Sequence, residues 1–402
     1  MLLASNILLL AACFGLLVLT AQLTLVLRHR RDAPPATRPG GARPGISILK
    51  PLCGVDDDLE ANLAQFAALD YAGAYEVVLG VKDARDAAFA VARAAVARWP
   101  HVMRLEVQEG EPGRNPKVNQ LITLADRARF DLLVISDSNT RVAPGYLEEI
   151  AQAFENPEVG CVTHPVTGVG ERTFGSLLDN LHLGASAAAG MIAAKRAAGQ
   201  DIVVGKSMAL RREDVEALGG FFSVKDVLAE DFVIGQWVTR KLGRRVVVAR
   251  TPVFNVSLRK SVPSFFRRYL RWSVIHRTAV SPGTYVAQAL LNPAPLALLG
   301  ALLAPSPLAA ALCLGVALCK VAVDLATVRA LRPQPLTWDA VPAVFAKDAL
   351  LFAAWVYALF SRTVSWRGTR LRVGRGTRLV PLQASDLEAP QALPRGDRAL
   401  VG

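Results

Sequence analysis

The 402-residue sequence predicts an α/β domain on a mostly parallel sheet, covered by helices on both faces and tied to a membrane by apolar helices. Three observations predict this. Between residues 45 and 258, short apolar runs alternate with helical ones, the pattern of strands joined by crossover helices. Apolar residues make up 52% of the chain and concentrate outside that stretch, in residues 1–27 and beyond residue 284. The surplus of arginine behind the net charge of +12 lies largely beside those apolar segments.

Residues 1–27 carry no charge and are long enough to cross a hydrocarbon core of roughly 30 Å at about 1.5 Å per residue. A secretory signal peptide carries its positive charge before the apolar run; here Arg28, Arg30 and Arg31 follow it. The positive-inside rule therefore predicts an N-terminus outside and a cytosolic domain after it. Residues 28–45 read as a basic linker rich in Pro and Gly, and 46–258 as the central domain. Its strands are expected at 46–52, 76–82, 104–108, 131–136, 160–165 and 245–249. Helices are expected at 57–69, 87–98, 117–128 and 146–154. Residues 259–280 form an amphipathic interfacial helix in this reading, its aromatics at head-group level, and 281–361 hold the C-terminal membrane helices.

Three apolar stretches fall in that last region, at 284–305, 307–328 and 341–361. Were all to cross with the first, the arginine-rich tail 362–402 would end outside, against the charge rule. The stretch 341–361, with Lys347 and Asp348 in its interior, is the one expected to be interfacial or re-entrant. Lys320 and Asp324 stand one helical turn apart in the preceding segment, spaced either to pair with each other or to face a cavity.

Arg362, Arg367, Arg370, Arg372, Arg375 and Arg378 follow the last apolar stretch. Arginine there fits anionic lipid head groups, so the basic charge implies a bilayer partner and no nucleic acid. Five cysteines show neither metal-ligand nor disulfide-framework spacing, as expected of a reducing compartment. The histidines form no metal spacing and read as structural or exposed. No G-x-G-x-x-G follows the first strand and no P-loop occurs, so a nucleotide site must be built from other parts.

Carboxylates at strand ends are the next candidates, because parallel sheets bind ligands there. Asp83 closes the second strand. Asp137 closes the fourth in Ser136-Asp137-Ser138-Asn139, where an Asp-x-Asn pair offers oxygen ligands to Mg2+ or Mn2+ bridging a diphosphate. Either acid also suits a turn or helix cap. Glu230 and Asp231 open a helix, favoured there by its dipole, and one of them has the chemistry of a general base. Aromatic and basic residues interleave in Phe265-Phe266-Arg267-Arg268-Tyr269-Leu270-Arg271-Trp272.

Asp83, Asp137, Asp231 and Arg268-x-x-Arg271-Trp272 occur in the order of the D, D, D, (Q/R)xxRW signature of inverting, family-2-like GT-A glycosyltransferases. The chain resembles the ceramide glucosyltransferase family (family-21-like) most closely, with hopanoid-associated glycosyltransferases as near relatives. The resemblance rests on Leu49-Lys50-Pro51-Leu52-x-Gly54-Val55-Asp56, Asn115-Pro116-Lys117-Val118-Asn119, Asp137-Ser138-x-x-Arg141-Val142, Ala229-Glu230-Asp231 and Ser365-Trp366-Arg367, and covers about residues 49–377. It implies a GT-A-like, Rossmann-related mixed sheet with helices on both faces, plus transmembrane and interfacial helices.

By that resemblance, Asp83 contacts uridine, with Lys117 in the nucleotide pocket. Asp137 carries the metal, Mg2+ or Mn2+, on the UDP diphosphate, and Asp231 is the catalytic base. Arg268, Arg271 and Trp272 line the donor diphosphate, with Glu230 and Asn139 in support. Two departures stand out. Asn139 replaces the second acid of a DxD, and residues 184–188 lack the histidine found in ceramide-using members. The implied partners are a UDP-sugar donor, a membrane lipid acceptor such as ceramide, and the bilayer, with the enzyme integral to the membrane (the inner membrane in a bacterium). A hopanoid or polyprenyl phosphate acceptor stays open, as does a membrane scaffold with an inactive domain.

Overall fold

A computed structural model describes residues 1–32, 43–366 and 369–381. Helix α1 (Leu2–Arg31) leads into β1 (Ile46–Pro51), α2 (Leu59–Ala67), β2 (Tyr75–Val81), α3 (Ala87–Arg98), β3 (Met103–Val107), α4 (Pro116–Arg127) and β4 (Leu132–Ile135). Then come β5 (Thr140–Arg141), α5 (Tyr146–Ala153), β6 (Val159–Thr163), β7 (Val166–Val169), α6 (Phe174–His182), α7 (Ala189–Ala198), β8 (Met208–Arg211), α8 (Arg212–Ala217), α9 (Glu230–Arg240), β9 (Arg245–Val248) and β10 (Val253–Val256). The membrane-facing part holds α10 (Val262–Ala279), α11 (Pro282–Ala287), α12 (Pro293–Leu303), α13 (Pro307–Leu331) and α14 (Ala340–Phe360), and the chain closes on β11 (Thr363–Trp366), β12 (Thr369–Val373) and β13 (Leu379–Val380).

The main sheet has seven strands in the order β3-β2-β1-β4-β8-β6-β9. All run parallel except β8, which is antiparallel to both neighbours and makes the sheet mixed. Alternation splits β4 between two cores. Leu132 and Val134 face α2, α3 and α5, while Leu133 and Ile135 face α4, α8 and α9. Register pairs Leu49 with Ile135, so β1 and β4 end together and Asp137 emerges at their common C-terminal edge. A second sheet, β5-β10-β7, stands beside that edge.

The six strands expected from sequence are present, within two residues at each end. The 208–211 strand was not anticipated. Its four residues follow a Gly-Lys-Ser turn and are too few for a clear period. A continuous helical run covers 174–198, in which a π-turn at Leu183–Ala188 joins α6 to α7.

Arg28–Arg31, expected in a linker, are the last turn of α1. Cations favour a helix C-terminus. Here His29 Nε2 lies 3.0 Å from the Ala249 carbonyl, and Arg30 donates to the Arg250 carbonyl at 2.8 Å, pinning the turn to the domain. The described residues of the expected basic tail, 362–366 and 369–381, form β11-β12-β13, which packs onto α10. The Thr377 carbonyl accepts from Leu228 N at 2.9 Å and Leu379 N donates to Asp226 at 2.8 Å, bracing the loop ahead of Glu230. Arg367 and residues 382–402 lie outside the described residues.

Helices α1, α13 and α14 are each long and apolar enough to cross a membrane, and residues 282–303 form a segment bent by 81°. α14 is unbroken, which excludes the re-entrant one of the two alternatives expected at 341–361; the break falls in 282–303 instead. Ser5 of α1 donates to the Gly300 carbonyl at 2.7 Å, while a Cβ on Gly15 would meet the Leu290 carbonyl. Small residues thus let α1 and α12 run antiparallel in close contact. α13 runs in the sense of α1: Leu9 and Ala12 share a cluster with Ala309 and Val316, and Val26 shares one with Leu331. Both helices end at the domain, where Arg332 pairs with Glu171 at 2.9 Å.

α14 lies along α10, from Val344 near Phe265 and Tyr269 to Ala358 near Val274. Phe265 and Tyr269 are therefore buried inside the protein, not set at head-group level as the amphipathic pattern predicted. Lys320 and Asp324 do pair, at 2.6 Å, but within a buried quartet. Lys347 lies 3.0 Å from Asp324 and 2.5 Å from Asp348, and Lys320 lies 3.1 Å from Asp348.

Candidate active site

The site forms where α4, β4, the turn before β8 and α9 converge. α4 starts sharply because Pro116 takes its first turn and the Asn115 side chain accepts from Lys117 N and Val118 N at 3.0 and 3.2 Å. The same Asn115 amide donates to the Val227 carbonyl at 2.7 Å and to Glu230 Oε2 at 3.1 Å. One side chain thus caps α4 and fixes the start of α9.

Lys117 projects from that cap between acids. Its Nζ is 3.0 Å from Asp137 Oδ1 and 3.1 Å from Glu230 Oε1. Lys206 takes the other Asp137 oxygen at 3.2 Å and donates to Asn139 Oδ1 at 2.6 Å. Lys50, fully buried, donates to the Asp137 carbonyl at 2.9 Å and to Ser136 Oγ at 3.0 Å, with its ammonium 3.6 Å above the Phe66 ring. Ser138 donates to Asp56.

These contacts set the charges. Burial would raise the Asp137 pKa, but Lys117 and Lys206 overcome it and hold the carboxylate well below its usual range. Burial alone would lower Lys117; Asp137, Glu230 and Asp231 outweigh it and push it up. Lys206 goes down, because it is equally enclosed, has fewer acids and lies near Arg268. Burial lowers Lys50 to about 7.

Asp231 stands apart chemically. Its Oδ2 accepts from the Gly205 N–H at 2.6 Å and its Oδ1 from its own neighbour Phe232 N at 2.8 Å. Burial, reinforced by Glu230, raises its carboxyl to about 6, against the pull of Lys117 and those two amides. Such a group is ionised near neutrality yet retains real proton affinity, as a general base requires.

Asp179, fully buried on α6, gathers basic residues from α10 and the turn just before it. It pairs with Lys260, lies 3.3 Å from Arg268 Nη1, and accepts from the Tyr269 hydroxyl at 2.8 Å. Burial would raise it, but Arg268 and Lys260 hold it at about 2. The Arg268 guanidinium lies 5.1 Å over the half-buried Trp272 ring, which packs against both the sheet core and the membrane-side core.

Lys117, Asp137, Asn139, Glu230 and Asp231 are therefore gathered into one network, and Arg268 and Trp272 join α10 to the membrane helices. Arg271, half-buried, follows one turn after Arg268. Asp83 is set apart. It sits in the turn after β2, two strands from β4 and so roughly 10 Å across the sheet edge, accepting from Arg85 N at 2.8 Å. The sequence reading missed Lys206, Asp179 and Lys260. Gly205-Lys206-Ser207 before a short strand carried a signal, a lysine entering a buried strand; Asp179 carried none until α6 was seen to face α10.

A model of the glycosyl transferase family 21 matches residues 7–379. The chain belongs to this family. Ceramide glucosyltransferase 1 of Caenorhabditis elegans is 27% identical over 266 residues, 66% of this chain and 55% of that protein. Ceramide glucosyltransferase 3 of the same organism is 26% identical over 233 residues, 57% and 50% of the respective chains. The chain thus spans about half the length of the curated relatives it matches. A mannosyltransferase from Pyrobaculum calidifontis, solved with GDP-Man and Mn2+, superposes with a TM-score of 0.53 over 88% of this chain and 99% of that one, at 19% identity. That likeness concerns the fold, which is of the GT-A type. In this family-21 chain, then, the strand-edge network occupies the part of the sheet where such folds receive ligands.

Proposed function

We propose that this family-21 chain transfers a hexose, glucose by preference, from a UDP-sugar to the hydroxyl of a membrane lipid, with ceramide as the acceptor and a β-glycosyl lipid as product. The observation that carries the reading is Asp231. Its carboxyl, raised to about 6, is held by the Gly205 amide beside a bank of cations suited to a diphosphate. The names of the curated relatives supply the acceptor.

In this mechanism Asp231 takes the proton of the lipid hydroxyl as its oxygen attacks the anomeric carbon. The bond to the diphosphate breaks with its electron pair leaving on UDP, and the anomeric centre inverts. Arg268, Arg271 and Lys206 face the leaving diphosphate and stabilise its growing charge. Asp83 serves the uridine, and Glu230 keeps Lys117 in place between the acids.

The residues at the strand edge fit a divalent cation, Mg2+ or Mn2+. Asp137 and Asn139 offer two oxygens at one edge, and Mg2+ sites are commonly completed by phosphate oxygens and water around one or two carboxylates. When bound there, the cation would neutralise the leaving diphosphate.

For topology, the reading is three crossings: α1, the bent 282–303 segment and α13. α14 then lies at the interface along α10, and the tail stays on the cytosolic side with the catalytic domain. The antiparallel α1–α12 and parallel α1–α13 contacts support it, as does the contact of α14 with α10.

The test is a transfer assay on the full chain in nanodiscs with Mg2+ or Mn2+. It offers labelled UDP-glucose, UDP-galactose and UDP-GlcNAc against ceramide, a hopanoid polyol, a polyprenyl phosphate and diacylglycerol, with products read by mass spectrometry. A hexosylceramide absent with Asp231→Asn supports the proposal. A product on another lipid moves the acceptor. No product and no UDP binding would sink the reading in favour of an inactive scaffold.

A further inference from the structure

A cavity of about 520 Å3 opens at the seam between the catalytic domain and the membrane helices, lined by none of the residues of the strand-edge network. Arg30 from the last turn of α1, Arg329 and Arg332 from the end of α13, and Arg141 from β5 line it. No carboxylate lines it among the described residues. Its other walls are largely apolar or proline, including Val169, Leu331 and Phe254.

The four arginines differ in how far they are committed. Arg332 is buried and bonded to Glu171 at 2.9 Å. Arg141 pairs with Asp58 at 3.1 Å and donates to Asn62 at 2.8 Å. Arg30 spends one donor on the Arg250 carbonyl. Arg329 is exposed, and its side chain makes no ion pair or hydrogen bond with another described residue. Two carboxylates behind the wall thus pair with two of the four arginines; Glu149 acts on Arg30 without pairing to it, and Arg30 and Arg329 keep donors to spare.

Position supplies the rest. The apolar lengths of α1 and α13 stop at Leu27 and Val328, immediately before these arginines, so the cavity opens at the depth where hydrocarbon gives way to head groups. A guanidinium presents a fork that matches phosphate oxygens. Basic residues at this depth attract anionic lipid.

We propose that this seam cavity is a binding site for the phosphate of an anionic phospholipid head group, held by Arg329 and Arg30 with its glycerol end directed along α1 and α13. The site bridges two membrane helices and the domain, and its occupant would brace that seam. A soluble phosphate shares the chemistry but not the acyl chains.

The full chain, delipidated in neutral detergent, is titrated with phosphatidylglycerol, phosphatidylcholine and inorganic phosphate, and bound molecules are counted by native mass spectrometry. Wild type, Arg329→Glu, Arg329→Gln and Arg28→Glu are compared; Arg28 is exposed at the same depth but does not line the cavity. The expected result is preferential retention of phosphatidylglycerol, weakened roughly tenfold in Arg329→Glu, less in Arg329→Gln, and little changed in Arg28→Glu. Equal loss in Arg28→Glu and Arg329→Glu would reduce the effect to diffuse surface charge and overturn the site. So would retention indifferent to Arg329→Glu in a variant that melts like wild type. Inorganic phosphate bound as tightly as the lipid would overturn the lipid assignment.

Discussion

Lys206 Nζ lies 3.2 Å from Asp137 Oδ2 and 2.6 Å from Asn139 Oδ1, so an ammonium sits on the two side-chain oxygens best placed to receive a divalent cation. Lysine and metal compete for the same atoms. Lys206→Met is expected to tighten Mn2+ binding roughly tenfold, because a like charge a few ångströms away is removed. Electron paramagnetic resonance on the donor-free protein would measure it. Unchanged Mn2+ affinity would mean that the lysine swings aside freely or that the metal binds elsewhere.

Asp231 predicts an acid limb in turnover. A base must be ionised, and burial sets this carboxyl at about 6, so kcat should fall as pH drops through that value. Glu230→Gln removes a neighbouring negative charge and should move the limb to lower pH. The sign for stability is opposite. A carboxyl raised above its unfolded value of 3.8 binds more protons folded than unfolded between the two, so its contribution to stability is lost as pH rises from about 4 to about 6. Asp231→Asn should cut kcat by roughly 10²- to 10⁴-fold with donor binding retained; near-normal turnover would remove Asp231 from the mechanism.

Gly205 predicts a steric failure of the site. A Cβ there would stand 2.5 Å from Lys117 Nζ and 3.1 Å from Asp231 Oδ2. Gly205→Ala should therefore fold, since the first obstacle is the tip of a flexible side chain, but push Lys117 off its acids. Donor KM should rise and kcat fall together, while thermal unfolding moves by only a few degrees. Normal kinetics would show that Lys117 can relocate without consequence.

Asp179 holds the basic face of α10 in place without belonging to the strand-edge network. Asp179→Asn keeps the shape and the Tyr269 hydrogen bond but removes the charge facing Arg268 and Lys260. Two half-buried cations left without their partner should cost a few kcal/mol of stability, about 3 at most. A distinct kinetic signature should accompany it, a rise in donor KM that the sugar identity does not alter. Loss of stability with unchanged donor KM would reduce Asp179 to a structural ion pair.

The buried quartet of α13 and α14 offers a cleaner test of packing. Lys320→Met alone leaves Asp324 and Asp348 short of one cation and should destabilise the chain, whereas a joint Lys320→Met, Asp324→Leu change removes a neutral pair. The double variant should melt above the single one in detergent. The reverse order would show that the charges act independently.

The sequence by itself determined the alternation of strands and helices, the apolar ends, and the acids at strand ends. Each of these is written in a local period or a dipeptide: Leu132 to Ile135 ending in Asp137, Asn115-Pro116 starting α4, Glu230-Asp231 starting α9. It also placed Arg268 and Trp272 one turn apart on a helix. What only the tertiary structure decided is which groups meet across long separations. Lys206 reaches Asp137 because β8 pairs with β4, and Asp179 reaches Arg268 because α6 packs on α10. The arginine-rich C-terminus became a small sheet bracing Glu230, and the apparent head-group aromatics Phe265 and Tyr269 turned inward against α14. Local pattern specifies which face of an element is apolar. Which partner covers that face is settled by burial and by pairing charges in a low dielectric, and both depend on residues more than a hundred positions away in sequence as well as on near ones.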